Sequence, residues 1–226
     1  MKAAIVNYNT PELSAAAIMS LRKHTPCDVI VFDNSDRRPM PPMEGVDIID
    51  NTLGQVIDFP RWLDGFPNKL PSDDNNYGSA KHCKSVDILL DLVPEGFLLL
   101  DSDVLVMRDV SALHDRRFAW AGEVQNHRSR FGTAKRILPM LCYINAPMLM
   151  EYGIRYFDGS RMFALTDRKP YAAYDTGASF WEACEELRLP YRGVRINEYV
   201  IHLGHGSWRR CDHSEWLEQH KELWKL

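Results

Sequence analysis

The sequence lacks the cysteine pairs that mark a disulfide framework or a common zinc site. Its 226 residues include five cysteines, an odd number, and no two of them form a C-x-x-C pair. Single, widely separated cysteines are typical of reduced thiols that fill the core of a cytosolic protein. The five are Cys27, Cys83, Cys142, Cys184 and Cys211. A disulfide-rich secreted domain is therefore not expected.

The sequence also lacks long apolar runs and an excess of positive charge. No run reaches the ~18 apolar residues needed to span a bilayer, and the apolar part of the amino terminus is too short for the central region of a signal peptide. The formal net charge of −4 offers no general attraction for a nucleic-acid backbone. We therefore expect a cytoplasmic protein with no transmembrane segment and no nucleic-acid partner.

The rest of the composition is that of an ordinary globular protein. Apolar residues make up 45% of the chain and charged residues 26%, which is close to the average for soluble domains. A chain of this length suits one domain with a sizeable core. We expect a single domain over residues 1–226.

The first half of the chain alternates short apolar runs with helical spacing. Apolar runs at residues 2–6, 29–32 and 46–49 each end in polar side chains, and a helical pattern follows Pro11. This order predicts an α/β fold with a doubly wound sheet. Ligands of such sheets bind outside the carboxyl ends of the strands, where Asn7 and Asp33 are expected.

The central feature is the segment FLLLDSDVLVM at residues 97–107. A continuous apolar run of this kind predicts a strand buried on both faces, with Asp101 and Asp103 at its carboxyl end. A turn beginning at Ser102 would bring the two carboxylates together. They would then repel each other unless a cation lies between them or one keeps its proton. Metal binding is the first interpretation and an acid pair sharing a proton is the second. A strand end that turns into solvent is the third.

Weaker patterns complete the prediction. Ser79 is predicted to begin a helix over residues 79–90, and the free N–H groups of that start, with Lys81, suit an anion. Strands are predicted at residues 118–124, 141–144 and 194–203. The basic connection at residues 128–136 is predicted to be a solvated surface or a mobile lid. Thr176 is expected to cap a helix, and an amphipathic helix is expected from Asp212 to the end.

Five segments in chain order resemble the nucleotide-sugar glycosyltransferases of the GT-A fold, closest to the family 2 type. They are IVNYNTPELS, VFDNSD, NNYGSAKH, LLLDSDVLV and HLGHGSW. The resemblance implies a single GT-A (Rossmann-like) domain with a mostly parallel central sheet, flanking helices and a C-terminal amphipathic helix. It also implies a nucleotide-binding half at residues 1–110 and an acceptor-binding half at residues 111–226.

The resemblance implies a role for each matching residue. Asn7 and Asp33 are similar to the positions that hold the nucleoside, and Lys81 to a residue near the diphosphate. Asp101 and Asp103 resemble the D-x-D pair, of which the second binds a divalent metal and the first contacts the ribose or a metal-bound water. His202 resembles a third metal contact, with His205 as a competing choice in the same loop.

The implied reaction moves a sugar from a nucleotide-diphosphate sugar to a hydroxyl of a saccharide or other acceptor. A UDP-sugar is the donor expected first. Mn²⁺ or Mg²⁺ would offset the charge of the leaving diphosphate, and an imidazole ligand favours Mn²⁺. Inversion in one displacement requires a carboxylate base near the acceptor. The expected base is Asp175, with Glu123 in reserve. The family's usual Glu-Asp pair is absent, because Tyr174 precedes Asp175.

Three other interpretations stay open. A phosphatase of the haloacid-dehalogenase type would use Asp101 as its nucleophile. In such phosphatases the D-x-D motif lies near the start of the chain, whereas here it follows several predicted strands. A structural zinc site could be formed from His202, His205, Cys211 and His213, whose ligand types suit zinc but whose spacing is irregular. A non-catalytic binder of nucleotide sugars on the same fold is the third.

Overall fold

The computed structural model describes most of the chain. The described residues are 1–65, 75–129, 132–162, 165–166, 169–170, 175–204 and 213–225. His205, Cys211, Asp212 and Tyr174 lie outside them. The predictions that depend on these four residues, which include the zinc site and the choice between His202 and His205, therefore stay predictions.

Strands and helices alternate along the described chain. The strands are β1 Lys2–Asn7, β2 Asp28–Asp33, β3 Val46–Asp50, β4 Phe97–Asp101, β5 Val104–Val106, β6 Trp120–Gly122, β7 Val124–Ser129, β8 Gly132–Ile137, β9 Leu141–Ile144, β10 Leu165–Thr166, β11 Lys169–Pro170, β12 Tyr191–Gly193 and β13 Val200–His202. The helices are α1 Pro11–His24, α2 Phe59–Asp64, α3 Asn75–Leu92, α4 Ala146–Glu151, α5 Gly159–Met162, α6 Ala178–Glu186, α7 His213–Gln219 and α8 Lys221–Trp224.

Seven of the strands form one central sheet in the order β12-β6-β9-β4-β1-β2-β3. Its strand pairs are parallel except for those of β9, which runs antiparallel to both β4 and β6. The predicted α/β class with a mostly parallel sheet and flanking helices is confirmed. The carboxyl ends of β1, β2 and β4 meet at one edge, as the sequence predicts.

The central strand β4 is buried because helices cover both faces of the sheet. Alternate side chains point to opposite faces. Leu98 and Leu100 pack in a cluster with α1, whereas Phe97 and Leu99 pack in a second cluster with α3 and α6. A strand enclosed in this way needs apolar residues at consecutive positions, which explains the unbroken run FLLL.

Several predicted boundaries were wrong. Helix α3 begins at Asn75 and not at Ser79, so Ser79 is no N-cap and the helix start lies about one turn earlier in the chain than predicted. The basic connection expected at residues 128–136 is replaced in the described structure by the antiparallel strands β7, Val124–Ser129, and β8, Gly132–Ile137. Gly177, not Thr176, caps helix α6. The region 194–203 contains a 3-10 turn at Ile196–Glu198 before β13 and is not one long strand.

The C-terminal segment is amphipathic, as predicted, but it is divided into two short helices. His220 separates α7 from α8. Leu217, Trp216 and Trp224 pack with α1 residues and with Leu105 of β5 in a third apolar cluster. Lys23 of α1 donates to the main-chain oxygens of Glu222 (2.8 Å) and Lys225 (3.1 Å) at the end of α8. In the described part of the chain, none of the helices combines the length and apolar character needed to cross a membrane.

Gly96 fixes the entry into β4. Its backbone has a φ of +92°, and a Cβ placed there would lie 2.6 Å from the carbonyl oxygen of Ile144 on the neighbouring strand β9. Only glycine adopts such a φ at little cost, and only a hydrogen atom fits so close to another strand.

We predict that Gly96→Ala lowers the free energy of unfolding by about 3 kcal/mol or more, since the backbone of β9 would have to shift. The matched control is Gly153→Ala, which also has a positive φ of +66° but has nothing within 4 Å of its added Cβ. That variant should lose only ~1 kcal/mol. Urea unfolding of both variants measures the difference, and equal losses would contradict the close-approach argument.

Candidate active site

The D-x-D segment turns the chain back beside the sheet at the end of β4. Asp101 is the last residue of β4, and β5 begins only three residues later. Strand β13 pairs antiparallel with β5, so that His202 lies opposite Val104. The main-chain N–H of Leu203 donates to the carbonyl oxygen of Asp103 (3.0 Å). This pairing carries His202 to the acid pair from a part of the sequence about a hundred residues away.

Asp101, Asp103 and His202 form a cluster of three potential metal ligands. One side-chain ligand atom from each lies within 4.8 Å of the other two. Nε2 of His202 lies 3.1 Å from a carboxylate oxygen of Asp103. Asp103 is buried, Asp101 is half-buried, and His202 is exposed. Two carboxylates and an imidazole in this arrangement suit Mn²⁺, Zn²⁺ or a similar divalent ion.

The electrostatics of the cluster are set by burial and by the repulsion between its two acids. Burial, and then the charge of Asp103, raise the pKa of Asp101 to about 7, although His202 and Arg136 act in the opposite direction. Burial acts to lower the pKa of His202, but the hydrogen bond to Asp103 and the charges of the two acids outweigh it and raise that pKa. A cation held between the carboxylates would remove the repulsion.

Asn7 and Asp33 lie at the same edge, but their polar atoms are occupied by other protein groups. Asn7 donates to Asp33 (2.9 Å) and to Ser35 (3.0 Å). Asp33 also accepts from the hydroxyl (2.6 Å) and N–H of Ser35 and from the N–H of Met40 (2.6 Å). Asp33 is only 1% exposed. These contacts suit a support for the loop 35–40, and direct contact of Asp33 with a nucleoside stays a prediction.

Lys81 lies on α3 with its ammonium group over three aromatic rings. Its Nζ is 5.0 Å from the ring centre of Tyr8, 5.3 Å from that of Phe59 and 5.1 Å from that of Tyr77. Burial lowers the pKa of Lys81, and the charge of Asp36 opposes this effect. Tyr8 follows β1 directly, so the cation stands at the carboxyl edge of the sheet. Its predicted contact with a diphosphate stays a prediction.

Asp175 is brought to this edge by contacts with α3 and β8. One carboxylate oxygen accepts from the hydroxyl of Ser79 (2.5 Å) and from the N–H of Thr176 (2.7 Å). The other accepts from Arg136 of β8 in a partly buried ion pair. A general base needs a lone pair directed at the acceptor, and these lone pairs are engaged by protein donors. The predicted role of Asp175 as base therefore stays a prediction.

Glu123, the reserve base, is engaged as well. It follows β6, and its carboxylate accepts from the N–H of Ile196 (2.9 Å) at the start of the 3-10 turn. That contact ties the end of β6 to the segment that leads into β13. The described structure gives Glu123 a positioning contact, and its role as a base stays a prediction.

Sequence reasoning missed Ser79 and Arg136 as members of this site. Ser79 was predicted to be a helix cap, and Arg136 was predicted to lie in a basic connection that forms a solvated surface or a mobile lid. Arg136 is the last residue but one of β8, and its side chain is only 19% exposed. The sequence signal that could have identified Arg136 is its position directly before the apolar pair Ile137-Leu138. Both of these residues are buried, so the residue before them lies where the hairpin enters the core.

No family model and no curated protein matches the sequence. Two glycosyltransferases are among the solved structures that are similar in fold. The galactosyltransferase LgtC, solved in complex with donor and acceptor sugar analogues, has a TM-score of 0.52 and 14% identity over 87% of this chain and 74% of its own. Mouse xyloside xylosyltransferase 1 in its apo form has a TM-score of 0.57 and 9% identity over 98% of this chain and 91% of its own. The chain thus has the fold of the GT-A glycosyltransferases.

The raised pKa of Asp101 leads to a prediction about pH and metal. Between the ordinary value of 3.8 and the folded value of about 7, the folded protein holds a proton that the unfolded chain has released, so its stability falls as pH rises through this window. We predict that Asp101→Asn, which is uncharged, matches the wild type near pH 4 and exceeds it at pH 8 by on the order of 2–3 kcal/mol without metal.

The same variant should lose the increase in melting temperature that Mn²⁺ gives the wild type, because it removes one ligand. Thermal melts at both pH values, with chelator and with Mn²⁺, measure the two effects. The control is Asp28→Asn, which makes the same chemical change at an exposed position on the opposite, amino end of β2. A gain for Asp101→Asn that is the same at both pH values would contradict the assignment.

A separate prediction concerns Asp33. If its contacts are structural, Asp33→Asn should lower the free energy of unfolding by about 1–3 kcal/mol, because Asn cannot accept from all of the donors that surround this position. Affinity for a nucleotide would then fall only to the extent that loop 35–40 becomes disordered in the variant. Calorimetric titration at a temperature where the variant is folded separates the two roles, and lost affinity with unchanged stability would favour direct contact.

Proposed function

We propose that this protein is a metal-dependent glycosyltransferase that moves a sugar from a nucleotide-diphosphate sugar to an acceptor hydroxyl. A UDP-sugar is the first donor to test, and a saccharide or another hydroxyl compound is the proposed acceptor. The observation that carries the proposal is the cluster Asp101, Asp103 and His202 at the carboxyl edge of a GT-A sheet. Ligands of open α/β sheets bind at this edge.

The three potential ligands, Asp101, Asp103 and His202, fit a divalent metal ion. Asp103 and His202 would hold the ion directly, and Asp101 would complete its surroundings or contact the ribose. When bound, Mn²⁺ or Mg²⁺ would supply Lewis acidity and offset the negative charge of the leaving diphosphate. The tight spacing of the ligand atoms and the raised pKa of Asp101 support a cation at this place.

The remaining residues are given proposed roles by their position. Lys81, at the same edge, would approach the diphosphate, and Asn7 with Asp33 would shape the loops that contact the nucleoside. Residues 1–110 would thereby form the nucleotide-binding half, and residues 111–226 the acceptor-binding half. Inversion with Asp175 as base, and Glu123 in reserve, stays a prediction.

The alternative functions have less support. A phosphatase would need Asp101 as a nucleophile, but its carboxylate belongs to a three-residue cluster with His202, and the structural likeness is to glycosyltransferases. A non-catalytic binder of nucleotide sugars would show the same geometry. Turnover, as distinct from binding, separates it from a transferase.

The proposal is tested with metal-dependent turnover of nucleotide sugars. We predict that the wild type with Mn²⁺ releases nucleoside diphosphate from one donor class, by slow hydrolysis or by transfer to an added acceptor, and that chelation abolishes the release. Asp103→Ala should lower turnover by about 100-fold or more, because the ion loses its buried ligand, while its circular dichroism stays that of the wild type.

Asp28→Ala is the matched control, since this aspartate is exposed at the amino end of β2, the edge opposite to the site. Its turnover should equal that of the wild type. Asp103→Ala with full metal-dependent turnover would falsify the proposal. Tight metal-dependent binding of a nucleotide sugar without any turnover would instead indicate the non-catalytic binder.

A further inference from the structure

Arg136 is a mostly buried cation beside the proposed metal site. Its side chain is 19% exposed, and it lies near the end of β8. One terminal nitrogen donates to Asp175. Nε and the other terminal nitrogen donate to the side-chain oxygen of Gln125 (3.2 and 3.0 Å) on the paired strand β7.

The carboxylate that pairs with Arg136 is itself held in place. Asp175 accepts from Ser79 of α3 and from its neighbouring N–H. Two residues later, Gly177 packs so close to β8 that a Cβ on it would lie 2.1 Å from the carbonyl oxygen of Ile137. The N–H of Ile137 donates to the carbonyl oxygen of Gly177 (3.3 Å). The hairpin and the turn at residues 175–177 therefore hold the guanidinium, and α3 holds the carboxylate that pairs with it.

The guanidinium still has donors to offer. It carries five N–H groups, and the three hydrogen bonds to Asp175 and Gln125 use three of them. One N–H on each terminal nitrogen has no partner in the described part of the chain. The charge of Arg136 also reaches the metal cluster, since it acts to lower the pKa values of both Asp101 and His202.

We propose that Arg136 contacts the diphosphate of the bound nucleotide, and that Asp175 is the residue that positions it. This inference rests on the proposed function. The two remaining N–H groups would donate to phosphate oxygens, a pairing for which the planar, always charged guanidinium is suited. In this arrangement Asp175 acts through Arg136, which is an alternative to the predicted base role on the acceptor hydroxyl.

The charges around the site support a phosphate partner. Asp101, Asp103 and Asp175 bring three negative charges when ionised, and a divalent ion offsets two of them. The third would repel a diphosphate, and Arg136 cancels it.

The test compares metal binding and diphosphate binding by calorimetry in four proteins. They are the wild type, Arg136→Gln, Asp175→Asn and the double variant. The probes are Mn²⁺ alone, and then UDP, GDP and inorganic pyrophosphate in the presence of saturating Mn²⁺. We expect Mn²⁺ affinity to change by less than about threefold, and affinity for the diphosphates to fall about 10- to 100-fold in Arg136→Gln.

Asp175→Asn should lower affinity for the diphosphates by a smaller factor, about 3- to 10-fold. The double variant should bind them almost as Arg136→Gln does, since both changes remove the same interaction. A base role for Asp175 would leave diphosphate affinity unchanged in that variant and lower only turnover, which overturns the positioning role. Lys135→Gln is the matched control, because Lys135 lies next in sequence but its ammonium covers the ring of Trp181 (5.5 Å).

Arg136→Lys keeps the positive charge but lacks the planar set of N–H donors of the guanidinium, so its affinity for the diphosphates should lie between those of the wild type and Arg136→Gln. It also serves if Arg136→Gln melts too low to study. Arg136 variants that bind the diphosphates as the wild type does would overturn the inference while leaving the proposed function intact. A wild type that binds no diphosphate with Mn²⁺ would overturn both.

Discussion

The repulsion between two carboxylates at the end of a buried strand is the constraint on which the site depends. Asp101 must stand where it does because β4 is enclosed on both faces and can meet solvent only at its end. Burial and the neighbouring charge then disfavour its ionised form. Two groups from distant segments oppose this effect: His202 is brought near by the pairing of β13 with β5, and Arg136 lies on strand β8 of the hairpin β7–β8.

A second layer of buried polar side chains holds the rest of this edge rigid. Asn34 donates to Ser85 of α3 (2.8 Å) and its oxygen accepts from Asn51 (2.9 Å), which closes the loop after β3. Asn7, at the end of β1, accepts from Ser14 of α1 (2.8 Å) and donates to Asp33. Buried polar groups that are satisfied by one another fix a single arrangement. The strand ends are thereby pre-organised before any ligand binds.

The sequence was most informative where burial alone decides the structure. The runs of β1, β2 and β4 are apolar because both faces are covered, and so these strands and the convergence of Asn7, Asp33 and the acid pair at one edge could be predicted. The hairpin β7–β8 carries polar residues such as Gln125, Lys135 and Arg136, so it shows no apolar alternation. Its pairing, and that of β13 with β5, depends on long-range contacts that local patterns do not contain.

The two missed residues, Ser79 and Arg136, belong to the site only through contacts with a residue that is distant in sequence. Ser79 and Asp175 are 96 positions apart, and Arg136 and Asp175 are 39 apart. Gly177 lies so close to Ile137 that an added Cβ would not fit, and this contact joins the 175–177 turn to β8, the strand that carries Arg136. The half of the site built from strand ends is thus fixed by burial, whereas the other half is fixed by a backbone contact that only glycine permits. Changes in ligand preference should therefore arise more readily in the hairpin than in the strand ends, because substitutions there disturb fewer buried polar groups.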